Sequence, residues 1–104
     1  MKKIYNKLVR DKIPQIIQNK GGIAQTVVLS EEDYLKELNI KLQEEVKEYL
    51  ESGEVEEIAD ILEVLLALAK QKGLSYNELE EIRDQKAKKR GAFNDKIFLI
   101  SVEE

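Results

Sequence analysis

"IADILEVLLALA", residues Ile58 to Ala69, is apolar almost all the way round a helical wheel, and its reading decides the fold. A helix of that kind belongs at the centre of a bundle or at an interface, because no single face of it suits water. Its polar sector is narrow. Glu56, Glu63 and Lys70 share that sector and read as ordinary solvated residues. Asp60 falls about 40° from Val64, and Glu57 lies between Val64 and Leu68. Two carboxylates therefore point where core residues belong, and an unpaired ionised acid in such a place is expensive.

Working outward, the chain is clearly punctuated. Ser52 and Gly53 separate this helix, expected over about Glu54 to Lys72 and ended by Gly73, from a long helix expected over about Glu31 to Glu51. Ser30 with Asp33 gives the earlier helix its capping signal, and Ser75 with Glu78 forms a capping box for a third, which reaches about Arg90 before Gly91. Nearer the N-terminus, "MKKIYNKLVR" reads as irregular or extended. Asp11 is placed to cap a short helix with Pro14 in its first turn, ended by Gly21 and Gly22. "IAQTVVL" and the tail "KIFLISV" are short and rich in β-branched residues, which predicts two strands, paired with each other and leaning on the helices. The expectation is a mainly α fold with a small two-stranded β element. With 104 residues and no linker, repeat or low-complexity tract, residues 1–104 make a single domain.

The composition limits the chemistry. There is no cysteine and no histidine, so disulfides, thiolate nucleophiles, histidine bases and zinc sites built on Cys or His are all excluded. Carboxylates, lysines, arginines and hydroxyls remain. The net charge of -4 argues against a general binder of nucleic-acid polymers, which would carry a basic surplus on one face. The N-terminus lacks the apolar core of a signal peptide, and no apolar run approaches the ~20 residues of a membrane span. A cytoplasmic protein with no membrane contact is the expectation.

The preceding helix repeats the anomaly in "LQEEVKEYL", residues Leu42 to Leu50. With Glu45 as the zero of the wheel, Leu38, Tyr49 and Leu42 fall at about 20°, 40° and 60° on one side, and Tyr34 about 20° to the other. Glu45 thus lies inside the margin of the apolar stripe. Glu48 is about 60° away, one turn along, and Glu44 stands about 40° further out. An isolated Glu-Glu-x-x-Glu is commonly a solvated face, and Lys41 is placed to serve Glu44 or Glu45. Two acid pairs with matching i,i+3 spacing on successive helices are a different matter. Antiparallel packing can bring them together, and their mutual repulsion then calls for a cation. All-oxygen ligation selects a hard divalent ion, Mg²⁺ first and Mn²⁺ second, whereas calcium lacks its usual cage of carbonyls.

"EEVKE" followed by "EIAD" resembles the Glu-Glu-x-x-Glu and Glu-x-x-Asp signature of the all-α nucleoside triphosphate pyrophosphohydrolases, the MazG and phosphoribosyl-ATP pyrophosphohydrolase-like superfamily. "YNKLVRDKIPQII" and the late "KKRGAF" are similar to a house-cleaning branch of it, so that the resemblance spans nearly the whole chain. The interval between the acid pairs is short here, which suggests a tight helix junction. The resemblance implies a helical bundle of that type and Mg²⁺ ligation by Glu45, Glu48, Glu57 and Asp60. It also implies catalytic work at Glu44 and Glu45, with Glu44 either supporting the ligands or acting as base for the attacking water. The implied reaction cleaves a nucleotide between its α and β phosphates to give a monophosphate and pyrophosphate. Such chemistry needs no histidine or covalent nucleophile.

Phosphates also call for fixed positive charge. On the third helix Arg83, Lys86 and Arg90 lie within about 60° of one another and continue the stripe of Leu79 and Ile82. The ordinary alternative is that cations favour a helix C-terminus, which suits Lys88 and Lys89 well. In "NKLVRDK", Arg10 either pairs with Asp11 or another acid or, as the resemblance implies, binds substrate. Tyr5, Tyr34 and Phe93 are candidates for base stacking, though aromatics beside leucines are more often core. Two functions emerge: a Mg²⁺-dependent pyrophosphohydrolase acting as a homodimer or higher homo-oligomer, with phosphoribosyl-ATP or modified nucleotides among its possible substrates, or a non-catalytic helical oligomerisation module whose acids pair with a neighbouring chain.

Overall fold

A computed structural model describes residues 1–104 and contains four helices. They are α1 (Ile13–Asn19), α2 (Glu31–Ser52), α3 (Val55–Gln71) and α4 (Tyr76–Arg90). The long helices fall where the sequence puts them, and their ends are made by the expected chemistry. The Ser30 hydroxyl accepts from the Asp33 N–H at 3.2 Å. At the other end of α2, Gly53 adopts φ 67°, and its N–H donates to the Tyr49 carbonyl at 2.7 Å. That left-handed residue lets α3 begin after only two intervening residues. The capping box of α4 is complete, with the Glu78 N–H donating to the Ser75 hydroxyl and the Ser75 N–H donating to the Glu78 carboxylate.

The short N-terminal helix begins differently from expectation. Asp11 does not cap it; Lys12 is the N-cap residue, already helical in backbone angle and without a side-chain cap. The first turn closes instead through the Ile13 N–H on the Arg10 carbonyl, 3.1 Å, with Pro14 in the opening turn.

The two expected strands are absent. "IAQTVVL" and "KIFLISV" carry no ladder to each other or to any other segment. Strand propensity describes the fit of a side chain to a pleated, half-buried surface, and neither segment meets such a surface here. Val28 is fully exposed and Ile100 90% exposed. A two-stranded ribbon with no layer beneath it gains too little to hold together.

Packing is concentrated in one place. α2 and α3 form an antiparallel helical hairpin, and α4 packs only on α3 while α1 packs on no other helix. The buried residues are Leu38 and Glu45 of α2 with Val64 and Ala69 of α3. The molecule measures 62 × 32 × 24 Å with a radius of gyration of 18.4 Å, against about 13 Å for a compact domain of this length. Its accessible surface is 9877 Å² for 12.0 kDa, where a compact monomer exposes about 6,000 Å². Val55, Ile58, Leu62 and Leu65, spaced as one helical stripe, are exposed along α3. No helix is long and apolar enough to cross a membrane.

Candidate metal centre

The hairpin brings the acid pairs of α2 and α3 together. Carboxylate oxygens of Glu44, Glu45 and Glu48 lie within 4.8 Å of one another, and so do those of Glu45, Glu57 and Asp60. Glu45 belongs to both groups, so it stands where the two helices' acids meet. Its place follows from the wheel: one turn beyond Lys41 and two beyond Leu38, it lies on the inward face of α2. Leu38 is 3% exposed and Glu45 7%.

Burial leaves that carboxylate poorly served. Oε1 lies 3.4 Å from the Lys41 ammonium, and Oε2 is buried with no hydrogen-bond partner. Desolvation, followed by the charge of Glu48, holds the Glu45 pKa above the ordinary carboxylate value, with Lys41 opposing. Glu57 is pushed up in the same direction, first by desolvation and then by the charges of Asp60 and Glu45. Glu44 goes the other way. The Lys7 ammonium donates to its Oε1 at 3.0 Å, and that bond holds the carboxyl below its ordinary value and ionised.

Cations do reach the cluster, and most come from a segment without regular structure. Lys7 pairs with Glu44 on α2, Arg10 donates to Asp60 Oδ1 on α3 at 2.7 Å, and the other Arg10 nitrogen lies 3.8 Å from Glu63. Lys41 sits 3.6 Å from Glu44 as well as beside Glu45. Of the partners open to Arg10, the structure gives an acid elsewhere in the chain, Asp60, rather than Asp11. Glu63, read as a solvated residue, is an addition. Lys7 was visible as a charge beside Arg10, but nothing local ties it to Glu44, 37 residues away.

The cations of α4 are elsewhere. α4 packs on α3 alone, and none of Arg83, Lys86 and Arg90 makes an ion pair with the acids of the hairpin. Arg83 is engaged within its own helix, in a forked pair with Glu80 whose shortest contact is 2.6 Å, and lies 3.8 Å from Asp84. Lys86 and Arg90 are exposed and make no ion pair. Among the aromatic candidates Phe93 is fully exposed and Tyr34 half-buried. Tyr5, by contrast, lines a cleft of about 220 Å³ between the N-terminal segment and α2, together with Asn6, Lys7, Ile40, Lys41 and Glu44.

The donor set fits a hard divalent ion. It is all oxygen, it is drawn from two rigid helices, and it includes a buried oxygen that no protein group satisfies. Six carboxylates (Glu44, Glu45, Glu48, Glu57, Asp60, Glu63) meet three cations (Lys7, Arg10, Lys41), which leaves the cluster formally negative. The chain matches no family model, no curated protein and no solved structure. Its chemistry rests on these side chains.

Proposed function

We propose that this acidic centre holds Mg²⁺, with Mn²⁺ as a substitute, and that the chain is a nucleotide pyrophosphohydrolase cleaving between the α and β phosphates. The observation that carries this reading is Glu45, a buried carboxylate with one unpartnered oxygen at the meeting point of two acid groups. A purely structural acid in that position is costly, whereas a ligand left short of its cation has that appearance.

The ligands would be Glu45, Glu48, Glu57 and Asp60. A divalent ion there supplies Lewis-acid stabilisation of phosphoryl oxygens and a lowered pKa for bound water. The protein's own part is positional. Glu44, ionised and at the rim, is placed to accept a proton from an attacking water. Lys7, Lys41 and Arg10 offer positive charge of the kind that a triphosphate requires. The four-segment sequence resemblance supports the same reaction and favours a house-cleaning role toward modified nucleotides, with phosphoribosyl-ATP-like substrates as the variant within the same chemistry.

The active form is a homo-oligomer. The surface exposed beyond that of a compact monomer is roughly 3,900 Å², more than one partner gives up in most obligate dimers. The exposed stripe Val55, Ile58, Leu62 and Leu65 is the natural contact. That same stripe is what favours the second reading, a helical oligomerisation module without catalysis. The two are separated by incubating the protein with Mg²⁺ and a panel of ordinary and damaged nucleoside triphosphates and measuring pyrophosphate. Release of pyrophosphate that is lost in Glu48→Gln and Asp60→Asn supports the enzyme. Inactivity across the panel, with no Mg²⁺-dependent rise in melting temperature, leaves the module.

A further inference from the structure

The acidic centre is bridged by its own chain. Lys7 grips Glu44 on α2 and Arg10 grips Asp60 on α3, so one short segment reaches both helices of the hairpin across their acid face. Three extended residues span about 10 Å, close to the 8–10 Å that separates the axes of packed helices. The spacing from Lys7 to Arg10 therefore matches the width of the site. Asn6, with φ 47°, bends the chain just before the bridge.

This strap is held weakly. α1, which follows it, packs on no other helix, and of the first ten residues only Leu8 is even half-buried. The side chains of Lys7 and Arg10 are 51% and 55% exposed. Ion pairs of that kind are each worth at most about fivefold in an equilibrium constant. A segment tied down mainly by such contacts is drawn from the low-stability end of a fold. The strap also forms one wall of the cleft that opens beside Glu44, where Tyr5, Asn6 and Lys7 face Ile40 and Lys41.

We propose that the N-terminal strap is an internal counter-ion, in which Arg10 neutralises Asp60 and Lys7 neutralises Glu44 until a divalent cation takes Asp60 and the nucleotide arriving with it draws both side chains to its phosphates. The inference rests on the acidic centre being a divalent-cation site. Its chemistry is an exchange of ion pairs, with no covalent step. A lone divalent ion must displace Arg10 from Asp60, and so pays for a lost ion pair. A nucleotide arriving with the ion gives Arg10 and Lys7 new anionic partners, so ion and nucleotide assist each other's binding. Lys7 and Arg10 are thereby assigned as phosphate-positioning residues.

The experiment measures Mn²⁺ affinity by calorimetry in the full chain without nucleotide, for the wild type, Arg10→Gln, Lys7→Gln and Asp60→Asn. Arg10→Gln should bind Mn²⁺ about two- to fivefold more tightly than the wild type, the factor set by one exposed ion pair. The same variant should bind a non-hydrolysable α,β-methylene nucleoside triphosphate with Mg²⁺ at least about tenfold more weakly, since a charge-assisted contact to phosphate is lost. Addition of Mg²⁺ alone should speed water exchange of the Arg10 Nη2–H protons, which donate to Asp60, in nitrogen-15 NMR, their signal assigned by its loss in Arg10→Gln. If Mn²⁺ binds the wild type and not Asp60→Asn, but with equal affinity in Arg10→Gln, the strap proposal is overturned while the metal centre stands. If Mn²⁺ affinity is unchanged in Asp60→Asn, or the wild type binds none, the metal centre itself is refuted and the strap proposal falls with it.

Discussion

Replacing Glu45 by Gln tests the central claim because the change keeps the shape and removes the charge. In the absence of divalent ions, wild-type Glu45 carries one buried oxygen without a partner and lies beside Glu48, Glu57 and Asp60. Leaving a buried polar group unsatisfied costs about 1–3 kcal/mol. The contact with Lys41 at 3.4 Å is an i,i+4 pair, and such pairs return about 0.3–0.5 kcal/mol. A glutamine can accept from Lys41 through its carbonyl and donate from its amide to the neighbouring carboxylates. The variant should therefore be more stable than the wild type by roughly 1–2 kcal/mol without metal. At about 4–8 °C per kcal/mol for a domain near this size, the melting temperature should rise by roughly 4–16 °C.

The sign of the pH dependence follows from the same residue. The folded-state pKa of Glu45 is raised above its ordinary 4.5, so the native state holds its proton more tightly than the unfolded chain. The stability this contributes is present in full below pH 4.5 and is lost as pH rises through the folded pKa. Glu57 acts with the same sign. Glu44 has the opposite one: its lowered pKa contributes stability above pH 4.5 that disappears as pH falls through the folded value. Glu45→Gln should flatten the alkaline-side loss. Saturating Mg²⁺ should reverse the ranking at pH 7, since a ligand at a hundred times its Kd stabilises by about 2.7 kcal/mol and the variant has lost a ligand for it. Thermal melts of both proteins with and without Mg²⁺ settle the matter. A metal-free Glu45→Gln that melts below the wild type, or one that keeps the full Mg²⁺ shift, would refute the assignment of Glu45 as a buried ligand.

Asp60→Asn and Glu48→Gln should each abolish pyrophosphate release while leaving the far-ultraviolet circular dichroism unchanged, because neither residue is needed to form the helix that carries it. Ser75→Ala removes the hydroxyl that accepts from the Glu78 N–H, and chemical denaturation should register a loss of about 1 kcal/mol. Leu62→Glu places a charge in the exposed stripe of α3; light scattering should show a smaller assembly than the wild type, and an unchanged mass would remove that face as the contact. Arg83→Ala, which breaks only contacts within α4, should leave Mn²⁺ affinity in calorimetry unaltered.

The sequence made the helical hairpin legible because every signal for it is local. Ser30, Gly53 and the Ser75–Glu78 box act within a turn of where they stand, and the wheel that put Glu45 beside Leu38 needs only the helix period. The meeting of Glu45 with Glu57 and Asp60 required one more step, the antiparallel return forced by a two-residue junction. The counter-ions were harder to see. Arg10 and Lys7 lie in a segment with no periodicity, and their partners stand 50 and 37 residues away, so neither spacing nor propensity selects them over Arg83 or Lys86.

The missing strands have a related cause, and one that points beyond a single chain. "IAQTVVL" and "KIFLISV" have side chains suited to a buried sheet, yet Val28 and Ile100 stand in water. Strand propensity depends on what lies beneath, and the lone hairpin offers no layer. Apolar exposure of this extent, added to the bare stripe of α3, is what the homo-oligomer proposed above would cover. On this view the stability of the protein depends on protomer concentration: dilution should lower the melting temperature of the wild type. The same dilution should leave the melting temperature of Leu62→Glu nearly constant, since that variant has little assembly left to lose. Concentration-independent melting of the wild type would mean that the exposed apolar surface is covered by something other than a second copy.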